Sequence, residues 1–175
     1  NVILEKVDVK LEYSDALYNE ILGKCKDNER FTVTNEGGLI CINAKGITRH
    51  GAYPEGSLNA AWITAEILKD CENLCENDRS IMADVYKYLT RYYGEGLGIE
   101  HEDANFGKLT SSNGIVRITD DGRFGVMFDV RAGSSCDMYS VVDKVKSATE
   151  TAWSMEKVNV SIGYNILNDN PAKLA

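Results

Sequence analysis

With 175 residues, 43% of them hydrophobic, 26% charged and 9% aromatic, the chain is long enough for one domain with a substantial core. That composition excludes the disordered and fibrous classes. Twenty-seven acidic against 19 basic residues give a net charge of −8, which repels phosphate and excludes nucleic acid and anionic membrane as partners, since no cationic cluster offsets it.

The first segment, residues 2–12, alternates as a strand does, and Ser14 or Asp15 then caps a helix carrying Leu17, Ile21, Leu22 and Cys25 at helical spacing. Because the chain opens on Asn1 and runs at once into strand, it reads as a portion of a longer protein. Two strands, Phe31 to Thr34 and Leu39 to Lys45, are expected to be joined by the turn Asn35-Glu36-Gly37-Gly38. The loop after the second strand holds His50, and a helix is expected over residues 57–75 with Leu58, Ala61, Trp62, Ala65 and Leu68 on one side.

A further helix is predicted over residues 80–93, followed by an acidic, glycine-punctuated loop to about Ser112. Residues 115–131 form a hairpin with the turn Asp120-Asp121-Gly122. Phe124, Val126, Phe128 and Val130 alternate along its second strand, which turns Met127, Asp129 and Arg131 to the opposite face. A helix over 137–153 and an alternating strand through Val158, Val160, Ile162 and Tyr164 complete the pattern. The fold class is therefore α+β: a ferredoxin-like β-α-β-β-α-β order, an antiparallel sheet with helices on one face. Residues 2–34 extend it by a strand–helix–strand, and residues 77–112 are a largely helical insertion.

Five cysteines, an odd number in a chain too large to need disulfide staples, point to free thiols and a cytoplasmic setting. Cys71 and Cys75 are expected to share a helix face, but no third or fourth ligand stands at usable spacing, so no metal site is expected here. Glu100-His101-Glu102-Asp103 reads as a solvated charge run. Gly94-Glu95-Gly96-Leu97-Gly98 follows a helix instead of a strand and lacks a lysine, which argues against a phosphate cradle. With only two histidines, His50 and His101, no serine or cysteine has an evident base, and no nucleophile is expected.

The stretch Gly46-x-x-x-His50-Gly51-x-x-Pro54-Glu55-x-x-x-Asn59-Ala60 resembles the signature that opens the small domain of the zinc aminoacylase, carboxypeptidase and dipeptidase superfamily. Gly107-x-Leu109-Thr110-x-x-x-Gly114, with a hairpin ending Asp129-Val130-Arg131, resembles the dipeptidase-V-like (Xaa-His dipeptidase) branch, in which this domain is enlarged into a lid. The opening Asn1-Val2 resembles the Asn-x-Val-Pro start of that lid, although Leu4 and Ile3 stand near the place of the usual proline. Thr48-Arg49 before the histidine and Ala132 after the arginine also depart from the common pattern.

The resemblance implies a lid domain spanning residues 1–175, with the catalytic domain and its two zinc ions outside this chain. It implies that His50 stabilises the oxyanion, that Arg131 binds the terminal carboxylate of a dipeptide substrate, and that Asn1 is a polar substrate contact. The implied partners are the chain's own catalytic domain and the dipeptide, and this chain alone is expected to hydrolyse nothing. Two other readings stay open on the sequence: a dimerisation domain of an amino-acid deacylase, and a noncatalytic small-molecule-binding module.

Overall fold

The computed structural model describes residues 2–161. Its first elements are β1 (Lys6–Glu12), α1 (Asp15–Cys25), β2 (Phe31–Glu36) and β3 (Leu39–Lys45). The Ser14 hydroxyl accepts from the Leu17 N–H at 3.2 Å, the cap expected at the start of α1. Strand β2 runs through Asn35 and Glu36, which the sequence pattern places in the turn. The turn itself is Gly37-Gly38, with φ of +61° and +81°. Two successive left-handed residues make the two-residue connection that follows the twist of an antiparallel pair, and glycine adopts it without steric cost.

The three strands form an antiparallel sheet in the order β1-β3-β2, with Val9 and Val33 flanking Ile42. One face carries Val9, Leu11, Phe31, Val33, Ile40 and Ile42 and packs on Leu17, Ile21 and Cys25 of α1. The other face is polar, with the Asn43 amide donating to Asp8 Oδ1 at 2.5 Å. This is the alternation of a sheet covered on one side only.

Helix α2 (Ala60–Leu68) is shorter than the predicted 57–75. At its start the Asn59 side chain caps it, accepting from Ala61 N–H at 2.8 Å. At its end the Glu20 carboxylate accepts the N–H groups of Glu72 and Asn73 at 2.7 and 2.9 Å, which draws the chain into a non-helical path. Cys71 and Cys75 consequently do not share a helix face: Cys71 is buried between helices and Cys75 precedes α3 (Glu76–Tyr88). That helix begins four residues before its predicted start, where Glu76 and Asp78 favour the positive end of the helix dipole. Two short strands, β4 (Glu102–Asp103) and β5 (Gly107–Lys108), precede the hairpin of β6 (Thr110–Ile118) and β7 (Phe124–Arg131). Helix α4 (Met138–Thr149) follows.

The α+β class holds, but the described strands do not form the single ferredoxin-like sheet. Both edges of β3 are occupied along their length, by β1 and by β2, so β6 and β7 stand as a separate two-stranded sheet. The predicted final strand is likewise absent over residues 153–161, where Glu156 pairs with Arg123 at the hairpin turn, and Ile162 and Tyr164 lie outside the described residues.

Helix α3 joins the two sheets. Its Val85 packs with Ala61 and Ala65 of α2 and with Val126 of β7, while Tyr88 packs with Leu97, Leu109 and Val141. Trp153 closes this layer, donating its indole N–H to Asp84 Oδ2 at 2.7 Å and meeting the rings of Tyr88 and Phe124 edge-on. Burial of side chains such as Ile3, Ile40, Leu68 and Leu109 contributes roughly 1.5–3 kcal/mol each. No helix among the described residues is long and apolar enough to cross a membrane.

Candidate functional site

The loop bearing His50 is pinned at its base. Ile47 and Leu58 exchange backbone hydrogen bonds at 2.8 Å in each direction, and the intervening residues form the tip. Gly46 permits the closure, since a Cβ there would lie 2.1 Å from the Leu58 carbonyl oxygen. Within the tip Pro54 and Gly51 are buried, Ser57 donates to the Pro54 carbonyl, and the Tyr92 hydroxyl donates to the Ser57 carbonyl at 2.8 Å. The Gly, Pro and Asn-Ala positions of the signature are thus packing and capping residues. His50 is different, because it is exposed at the tip.

The Ala52 N–H donates to His50 Nδ1 at 3.3 Å. The neutral ring therefore carries its proton on Nε2 and presents a donor. The N-terminal segment straps the loop: Val2 bridges to His50, Ile3 N–H donates to the Arg49 carbonyl at 2.9 Å, and Thr48 donates to the Ile3 carbonyl at 3.0 Å. Asn1, the third expected contact, lies outside the described residues.

Arg131 ends β7, half-buried, with Nε donating to Asp129 Oδ2 at 3.0 Å. It stands on the face opposite the core-packed Phe128 and Val130, as the alternation predicts. The loop that follows is anchored by Asp103. Its Oδ1 accepts the N–H groups of Asn105 and Phe106 at 2.8 and 2.9 Å, and its Oδ2 accepts that of Ser135 at 3.0 Å. Bonds from the Ser135 side chain and from these backbone N–H groups hold the Asp103 carboxyl far below the usual carboxylate range. Gly133 seats against the same carboxylate so closely that a Cβ would lie 2.4 Å from its carbon. Asp103 is therefore a buried anchor and not part of a solvated charge run. His101 contacts the Ser135 hydroxyl at 2.9 Å through Nε2.

The base of the His50 loop and the hairpin that carries Arg131 meet at a buried amide junction. The Asn59 amide donates to the Asn113 carbonyl and to Asn113 Oδ1 at 3.3 and 3.4 Å, and the Leu4 N–H donates to the same carbonyl at 3.2 Å. The Asn113 amide in turn donates to the carbonyls of Ile115 and Met127 at 3.0 and 2.8 Å, holding the bulge at Gly114 in β6. At Gly114 the strap passes so close that a Cβ would lie 3.0 Å from the Val2 carbonyl oxygen. No hydrogen bond joins the His50 and Arg131 side chains themselves among the described residues.

Beside the His50 loop, the Tyr93 hydroxyl donates to Glu55 Oε1 at 2.7 Å. This bond and burial push Tyr93 up to about 12, and the same bond lowers Glu55. Burial pushes the Cys71 thiol up to about 11, which keeps it protonated and poorly nucleophilic.

Nothing in the local sequence marks Asn59 or Asn113 as a link, although Asn59 sits at a helix start where an amide cap is common. The Asp103 anchor had a local signal, since Asp followed by Asn105 and Gly107 suits a side-chain-stabilised turn. Among the described residues no three His, Cys, Asp or Glu side chains gather into a metal-binding group. Compared with known proteins, the chain matches no family model and no curated sequence.

Proposed function

We propose that this chain is the substrate-clamping lid of a cytoplasmic metal-dependent dipeptidase, and that its catalytic domain, with two zinc ions, lies in the remainder of the parent protein. The observation that carries the reading is the His50 geometry. Nδ1 is satisfied by the Ala52 N–H, which leaves Nε2–H as the ring's donor on an exposed residue of a loop fixed at both ends. Such a donor stabilises charge that develops on a carbonyl oxygen as it becomes tetrahedral, without reorganising at the moment of reaction. Arg131 supplies the complementary function, a planar cation suited to the terminal carboxylate of a dipeptide. The Asn59–Asn113 junction supports their acting as one rigid body when the lid closes and excludes water.

Among the described residues no three His, Cys, Asp or Glu side chains gather to hold a metal ion, so no step is derived through the zinc pair. Five free thiols accord with a reducing compartment, and the acidic balance disfavours nucleic acid and anionic membranes as partners. The test is hydrolysis of a dipeptide panel by the metal-loaded parent polypeptide and by this chain alone. Turnover by the parent with none by the chain is expected. A metal-loaded parent that cleaves no dipeptide sinks the proposal.

A further inference from the structure

Thr110 carries a hydroxyl that the fold does not use. The residue is 5% exposed, and its Oγ1 has no hydrogen-bond partner among the described residues. Its neighbours on the hairpin are satisfied: Ser112 donates to the Asp129 carbonyl at 3.4 Å, and the Asn113 amide serves two carbonyls. A buried, unpaired hydroxyl is destabilising, and valine would fill the same volume without that penalty.

The hydroxyl has one suggestive neighbour. In the antiparallel register Thr110 stands directly opposite Arg131, which places the two side chains on the same face of the hairpin at cross-strand distance. We propose that Thr110 and Arg131 together form a carboxylate-binding pair, in which the guanidinium takes one edge of the ligand carboxylate and the Thr110 hydroxyl donates to its remaining oxygen. This deepens the lid reading and rests on the role given there to Arg131.

The resting arrangement fits the pair. The Arg131 Nε is held by Asp129, a carboxylate of the protein itself. On this proposal a ligand carboxylate takes the place of Asp129 on the guanidinium, and its second oxygen pairs the Thr110 hydroxyl. Ligand binding relieves the unsatisfied group, and the charge of the guanidinium selects a carboxylate over an amide.

The experiment titrates the 175-residue chain with N-acetylglycine, and with N-acetylglycinamide as the uncharged control, following backbone and guanidinium NMR signals. The wild type is expected to prefer the acid. Thr110→Val should weaken acid binding about tenfold while leaving thermal stability equal or higher, and Thr110→Ser, which keeps the hydroxyl, should retain most of the affinity. Thr110→Val binding the acid as the wild type does, with Arg131→Ala having lost it, overturns the pair and leaves the Arg131 role standing. A wild type indifferent to acid and amide, or Arg131→Ala binding unchanged, overturns the Arg131 role and the pair with it.

Discussion

The Asn59 amide reaches across 54 residues of sequence to donate to both the carbonyl and the side-chain oxygen of Asn113. Each asparagine also has a second task. Asn59 caps α2, and Asn113 feeds two carbonyls of the hairpin. Both are buried, so every bond removed here leaves a group without access to water.

Asn113→Ala should therefore destabilise the fold by about 2–3 kcal/mol, because the carbonyls of Ile115 and Met127 and the Asn59 amide lose a partner together. Urea unfolding of the purified chain measures this. A change under about 0.5 kcal/mol, the range of an ordinary surface substitution, would show that the junction is not what ties the His50 loop to the hairpin.

Local pattern was enough to place α1, the Gly37-Gly38 hairpin, β7 and α4, because each is set by near neighbours: the Ser14 cap, two glycines in sequence, period-two alternation, and the Asp137 cap. Sheet order was not legible, since whether β1 or a later strand takes the free edge of β3 depends on pairings remote in sequence. The end of α2 was missed for a similar reason: Glu20 is about fifty residues away from the N–H groups that it captures. At the candidate site, His50 and Arg131 were marked by motif and by strand face. Asp103 was misjudged because a carboxylate within an acidic run is normally solvated, and here three backbone N–H groups bury it instead.

His50→Ala should leave the fold unaffected, as the side chain is exposed and the Ala52 N–H that it accepts can turn to water. In the metal-loaded parent the same change should lower kcat by about 10²–10³-fold, the usual consequence of removing one oxyanion donor, while zinc content stays constant. Metal analysis beside steady-state kinetics separates the two. Full turnover in the variant would remove the donor role.

Arg131→Lys keeps the charge but loses the planar fork, and its compact ammonium cannot donate in parallel to both oxygens of a carboxylate. The lysine variant should therefore resemble Arg131→Ala in its KM for dipeptides with a free C-terminus. Both should approach wild type on C-terminally amidated substrates, where the carboxylate is missing. Equal losses on free and amidated substrates would mean that Arg131 shapes the loop through Asp129 and does not hold the ligand.

The Tyr93–Glu55 bond makes a prediction at the alkaline end. Donation to Glu55 and burial favour the protonated phenol and raise its value to about 12 in the fold, against about 10 for an unfolded tyrosine. A group raised on folding stabilises the native state below its unfolded value and loses that contribution as pH climbs to the folded one. The contribution of Tyr93 should thus be intact at pH 9 and fade between about 10 and 12. Tyr13 and Tyr88 are raised as well, so ultraviolet titration should show several tyrosines ionising late, and Tyr93→Phe should remove the part of that step nearest pH 12. Glu55→Gln should bring it to lower pH, since a neutral amide oxygen favours the phenol less than a carboxylate does. An amplitude near pH 12 that is unchanged in Tyr93→Phe would assign that value to another tyrosine, and one unmoved by Glu55→Gln would leave burial as its cause.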